Sequence, residues 1–402
     1  MATLIPIDDI QRPSRPPQRM GLALWDLGFR PFYLLAALYA ALAAPLWALQ
    51  YAGWLPPATP LLHAQEMAFG YAMAVIVGFL FTAGRNWSGH PTPTGRSLQL
   101  LAALWLAARV LAYTPWTAWA MAANLAFALG AAVGLGRALR AGENRRNDFF
   151  VAVLLAMGLL SALATAARAG WLALPGPVAL QVALDLVLFV MAVMAGRVVP
   201  MFTGNALPDS RPQRHPSVER AALGTVLALL ALDLARLAGV DMPSAVMATV
   251  ALVAGLAHAV RLAGWDPLAT RGNPLVWVLH LAYLWLPVHL LLRAGAALAW
   301  WAPGPAWHAL TVGGIGLLTL AMMTRSARGH TARPLQADRA DVAAYGLVAT
   351  AALLRVAVPL AWPQGTAAAA LVSALAWSAG WLVFVLRYGP WLMRPRLDGR
   401  PG

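Results

Sequence analysis

The sequence predicts an all-α fold, a polytopic membrane bundle of twelve transmembrane helices. Three observations predict it. Of the 402 residues, 60% are apolar and only 11% are charged, against about 25% charged in a soluble globular chain. Mean hydropathy is +0.65. The apolar residues form continuous stretches long enough to span a bilayer, which takes about 20 residues. A soluble domain, a disordered chain and a coiled coil are excluded. Continuous rather than alternating apolar runs argue against a transmembrane β-barrel. All 29 basic residues are Arg, and the net charge is +14. They sit in short segments between the apolar stretches, so they are read as topology signals and not as a nucleic-acid footprint. There are no cysteines, which excludes disulfides, thiolate metal sites and Cys nucleophiles.

The spans follow from the chain in order, because the connections between them alternate in charge. Residues 1–24 carry Arg12, Arg15 and Arg19 with no apolar signal-peptide core, and read as a cytoplasmic tail. Span 1 (30–51) leads into an uncharged segment and span 2 (63–83) into Arg85 and Arg96. Span 3 (97–114) ends at an uncharged turn, and span 4 (116–138) runs into Arg137, Arg140, Arg145 and Arg146. Span 5 (148–172) ends uncharged, and span 6 (177–202) leads to Arg211, Arg214 and Arg220. Span 7 (218–239) ends at a turn holding only Asp241, and span 8 (243–264) leads to Arg261 and Arg271. Span 9 (273–294) ends uncharged, and span 10 (306–326) leads to Arg325, Arg328, Arg333 and Arg339. Span 11 (339–361) ends uncharged, and span 12 (365–388) precedes a basic tail over 391–402. Every second connection is basic, which places both termini in the cytoplasm, with the transmembrane domain over 25–390.

Arg109, Arg168, Arg236, Arg293 and Arg355 break the charge rule in one consistent way. They lie near the outer ends of spans 3, 5, 7, 9 and 11, spaced by 59, 68, 57 and 62 residues, and each precedes a turn with Pro. This implies a repeated helical hairpin of about 60 residues. His63, Gln181 and His308 stand early in spans 2, 6 and 10, a longer period that implies three units of four helices. The five Arg either snorkel to the outer headgroups or line an outward-facing cavity that neutralises an anion such as the propionates of a haem.

Ionisable groups within a membrane mark sites by default. His63 and Glu66 share a face of span 2, three residues apart, and His308 starts span 10 at the same depth. Two imidazoles on different helices can ligate one metal from opposite sides, as a six-coordinate haem b requires, with Glu66 orienting an imidazole. The alternative is that both touch headgroups or water. His258 late in span 8 and His280 early in span 9 form a second candidate metal pair, for which hydrogen bonds to neighbouring helices are the simpler role. The chain shows no phosphate-binding loop, dinucleotide loop, nucleophile elbow or zinc-protease motif.

Several segments resemble one family. His63-Ala64-Gln65-Glu66-Met67-Ala68-Phe69-Gly70 is similar to the HAHEMLFG-type motif of the NnrS family, and Trp25–Phe32, Gly196–Asn205, Leu279–Trp285 and His308–Arg325 resemble further segments of it. The resemblance covers about 25–390 and implies a haem- and copper-containing bacterial membrane protein linked to nitric oxide, nitrosative stress and denitrification. Where the family motif has its second histidine, this chain has Gln65, a poor haem ligand. Three functions compete: a haem protein that binds or reduces nitric oxide; a transporter of a small anion or metal that uses the Arg set; and a membrane cytochrome exchanging electrons with quinol. A visible spectrum separates the second from the other two.

Overall fold

The computed structural model describes residues 22–400, so all but the last three residues of the expected tail over 1–24 lie outside the described residues. The described residues fold into twelve helical rods: α1 (Phe29–Tyr51), α2 (Pro60–Ser88), α3 (Gly95–Leu111), α4 (Thr117–Ala141), α5 (Phe149–Arg168), α6 (Gly176–Ala206), α7 (Pro216–Leu237), α8 (Ser244–Ala263), α9 (Pro274–Ala297), α10 (Gly304–His330), α11 (Arg339–Ala361) and α12 (Thr366–Met393). No strand occurs among the described residues. Ten rods are long and apolar enough to cross a membrane. The other two are α3, which has 17 residues, and α7, which carries Glu219, Arg220, Asp233 and Arg236.

The rods begin and end where local chemistry allows. Thr59 caps α2, its hydroxyl accepting from Leu62 N at 3.2 Å, and Pro60 occupies the first turn, where its missing N–H costs nothing. The helix therefore starts before the apolar stretch does, and His63 is its fourth residue. Gly89 ends it in the left-handed conformation that glycine adopts without strain. At α11, Asp338 accepts from Ala340 N and Asp341 N, and Asp341 returns the contact to Asp338 N, a reciprocal cap.

Neighbouring rods run antiparallel through short connections. One end of the bundle gathers the Arg-bearing connections and the other gathers those without Arg, charged only at Asp241; we call them the basic end and the neutral end. The bundle closes on itself because α12 packs on α1: Trp377 Nε1 donates to Ala40 O at 2.9 Å and Ser378 Oγ to Ala41 O at 2.6 Å. A run of buried alanines on α1 (Ala36, Ala37, Ala40, Ala41) lets the two backbones approach. At the basic end Arg30 donates to Leu392 O and Arg394 O, which ties the first helix to the last. The last helix runs on to Met393, past the expected start of the tail at residue 391.

Two rods are interrupted in the same way. In α2 the segment Glu66–Ala72 is π-helical, and in α10 the segment Ala309–Gly316 is. Each follows the first turns of its helix, just past His63 and His308. Such wide turns are rare and cluster at functional sites. Neither was legible beforehand. The local signal is small residues, Gly70 in the first segment and Gly313, Gly314 and Gly316 in the second, which leave room for Arg109, Trp285 and Trp377 to pack against the widened backbone.

Candidate functional site

A cavity of about 580 Å³ opens between α1, α2, α6, α10, α11 and α12 toward the neutral end. Its walls are chiefly apolar. His63, Gln181, His308 and Arg355 are the polar residues that matter on it. The three residues early in α2, α6 and α10 thus meet around one space. His308 is the fifth residue of α10, and its Nδ1 donates to Gly304 O at 2.7 Å. A bond to a carbonyl fixes the proton on Nδ1 and leaves Nε2 with a lone pair. His63 stacks on Trp47, ring centroids 4.3 Å apart and planes 20° apart. The Arg355 guanidinium lies 5.4 Å from the same Trp47 ring. Among the described residues Arg355 makes no ion pair.

The other four Arg of the repeated set are engaged by protein. Arg109 pairs with Glu66 at 3.0 Å and donates to Asn124 Oδ1 at 2.5 Å. Tyr39 donates to the second oxygen of Glu66. Glu66 is therefore held by Tyr39 and Arg109 and does not orient His63. Arg168 donates to Gln65 Oε1 at 3.0 Å, beside a void of about 10 Å³ between Gln65, Glu66, Asn124 and Ser161, room for one water. Arg236 pairs with Asp233 at 2.9 Å. Arg293 pairs with Asp185 at 2.6 Å and also with Asp233. Of the five, only Arg355 faces the cavity.

His258 and His280 occupy separate environments. His258 Nδ1 meets Tyr283 Oη at 2.6 Å and its Nε2 lies 3.2 Å from Ala222 O, so both nitrogens are used. His280 Nε2 meets Thr203 Oγ1 at 2.9 Å. Among the described residues no group of three or more His, Cys, Asp and Glu could hold a metal ion. Sequence reasoning also missed two polar clusters at the basic end. Arg261 is held by Glu219 at 2.8 and 2.5 Å, by Tyr283 at 3.0 Å and by Ala192 O at 2.7 Å. Arg328 is held by Asp341 at 2.6 Å and by Tyr388 at 2.9 Å. Their partners lie outside the apolar stretches or on other helices, and nothing in a single sequence joins them.

A model of the NnrS protein family matches residues 23–396, nearly the whole chain. The chain belongs to the NnrS family. A comparison with curated proteins finds no match. Gln65, which replaces a histidine of the family's motif, faces away from the cavity wall and is taken up by Arg168. The two ionisable residues of the motif kept in this NnrS chain have different fates: His63 lines the cavity, and Glu66 anchors Arg109.

Proposed function

We propose that this NnrS protein is a haem-binding integral protein of the bacterial inner membrane, with a b-type haem held in the cavity between His63 and His308. One observation carries the reading: two histidines from helices far apart in sequence line the same apolar cavity, and one already has its Nδ1 committed so that Nε2 is available. The fit extends to size and charge. About 580 Å³ lies within the range of sites for small ligands and cofactors, and Arg355 supplies a cation for a propionate. When bound, haem would supply one-electron chemistry and a site for nitric oxide. His63 and His308 would hold the group, and each precedes a π-helical segment of its own helix.

The same reading takes all twelve rods as spans, with the basic end cytoplasmic and both termini inside. Reporter fusions are expected to place Gly176 and Pro363 outside and Gly142 and Ser210 inside; any one of them on the wrong side breaks this topology. Copper is not part of the proposal: among the described residues no group of three or more His, Cys, Asp and Glu could hold a metal ion. The test of cofactor binding is haem content and the visible spectrum of purified protein. One low-spin haem per chain is expected. A protein expressed with ample haem that carries none contradicts the proposal and favours the second reading, transport of a small anion, for which the unpaired Arg355 in the cavity is the supporting observation.

A further inference from the structure

A second buried site adjoins the cavity, on α6, α7 and α9. Asp185 and Asp233 are fully buried. Asp185 Oδ1 accepts from Gln181 Nε2 at 3.0 Å and from Arg293 Nη1 at 2.6 Å. Asp233 Oδ1 accepts from Arg236 Nη1 at 2.9 Å, and its Oδ2 accepts from Arg293 Nη2. Three of the four carboxyl oxygens thus have donors. The fourth, Asp185 Oδ2, is buried without one. The two carboxyl groups are clamped by one guanidinium, Arg293, through its two terminal nitrogens.

Ionised carboxylates only accept, and with both ionised the buried Asp185 Oδ2 keeps no donor. Two like charges on one guanidinium in a fully buried site favour one shared proton. The charge count agrees. Asp185 and Asp233 side chains are 0% exposed and that of Arg293 is 11% exposed, whereas that of Arg236 is 42% exposed and its charge is solvated. The enclosed groups sum to −1 with both carboxyls ionised and to zero with one proton added. The charged groups facing Asp185 are Arg293 on α9 and Asp233 on α7, and those facing Asp233 are Arg293 and Arg236. The neutral contacts are Gln181 on α6 and, behind it, Trp307 on α10, whose Nε1 donates to Gln181 Oε1 at 2.7 Å. Gln181 and Trp307 both line the cavity.

We propose that Asp185 and Asp233 form a proton-holding site within the bundle: one proton shared between two carboxyls, reached from the neutral end past Arg236 and connected to the cavity wall through Gln181. The proton moves as H⁺ between water at the neutral end and a carboxyl oxygen, and no other bond changes. The site stands independently of whatever fills the cavity. It makes chemistry or transport in the cavity sensitive to proton supply from the neutral side, since the Asp185 charge is one amide away from the wall.

Infrared spectroscopy of the purified full chain tests this at neutral pH. A carboxylic acid C=O band is expected, shifted by [¹³C]aspartate labelling and unchanged by added sodium chloride. Asp185→Asn and Asp233→Asn are each expected to abolish the band, although each leaves one carboxyl, because the remaining one is then ionised by Arg293. Glu66→Gln is expected to keep it. No aspartate acid band in the wild-type protein overturns the proposal, and so does its loss on adding sodium, which would make this a cation site. Loss in only one of the two Asn variants overturns the shared proton in favour of a lone acid. The labelling and sodium arms need no variant, so they decide the matter even if a substitution prevents folding.

Discussion

The histidines on α8 and α9 and those on α2 and α10 sit in one bundle but face different surroundings. His258 spends both ring nitrogens on protein, Tyr283 and the Ala222 carbonyl, and His280 meets Thr203. His308 spends only Nδ1, and His63 rests on the face of Trp47, both beside an apolar cavity of about 580 Å³. The arginines repeat the contrast. Arg261 is closed by Glu219, Tyr283 and a backbone carbonyl, whereas Arg355 has Trp47 beneath it and the cavity ahead. A buried polar group satisfied by its own chain contributes to one packed state. One that ends at a preformed space has binding capacity left over. Capacity to ligate is decided by what the free lone pair faces, and intramembrane position alone does not decide it.

The largest expected effect breaks the comparison outright if it fails. His63→Ala and His308→Ala are each expected to abolish the low-spin haem spectrum, while His280→Ala leaves it intact. Next comes Glu66→Gln, which leaves the buried Arg109 without its carboxylate. Removing one partner of a buried ion pair costs about 3 kcal/mol or more, so a clear drop in thermal unfolding temperature is expected with haem content kept. Adding Arg109→Met should recover part of the loss. His258→Ala removes two hydrogen bonds and leaves a void, for about 2 kcal/mol of destabilisation and an unchanged haem spectrum. A lost spectrum with unchanged stability would exchange the roles of the two regions. The smallest effect is Arg355→Gln, where haem titration should show affinity about tenfold weaker, or about 1.4 kcal/mol, with the spectrum preserved.

Much of the fold was legible because hydrophobic length and Arg placement are one-dimensional signals. The expected stretches fall on helices, ten of which are long and apolar enough to cross a membrane, and His63 and His308 both line one cavity. Boundaries moved where caps overrode hydropathy, as Thr59-Pro60 did for α2. Partner choice was not legible. Five Arg recur at similar spacing, yet four are satisfied by Glu66, Gln65, Asp185 and Asp233. The count of intramembrane carboxylates beside the Arg set was the available signal, and it points to pairing before ligand binding. The π-helical segments were invisible because a one-residue widening leaves no periodic trace in sequences this uniformly apolar.

The most direct test of two-histidine ligation is electron paramagnetic resonance of the ferric protein, with His308→Gly and added imidazole. The wild type is expected to give a low-spin signal of two imidazole ligands. His308→Gly should convert it to high spin, and millimolar imidazole, entering the space left beside Gly304, should restore the low-spin signal. A His308→Gly protein that keeps the wild-type low-spin signal without imidazole would contradict the account, because the haem would then be held by other residues.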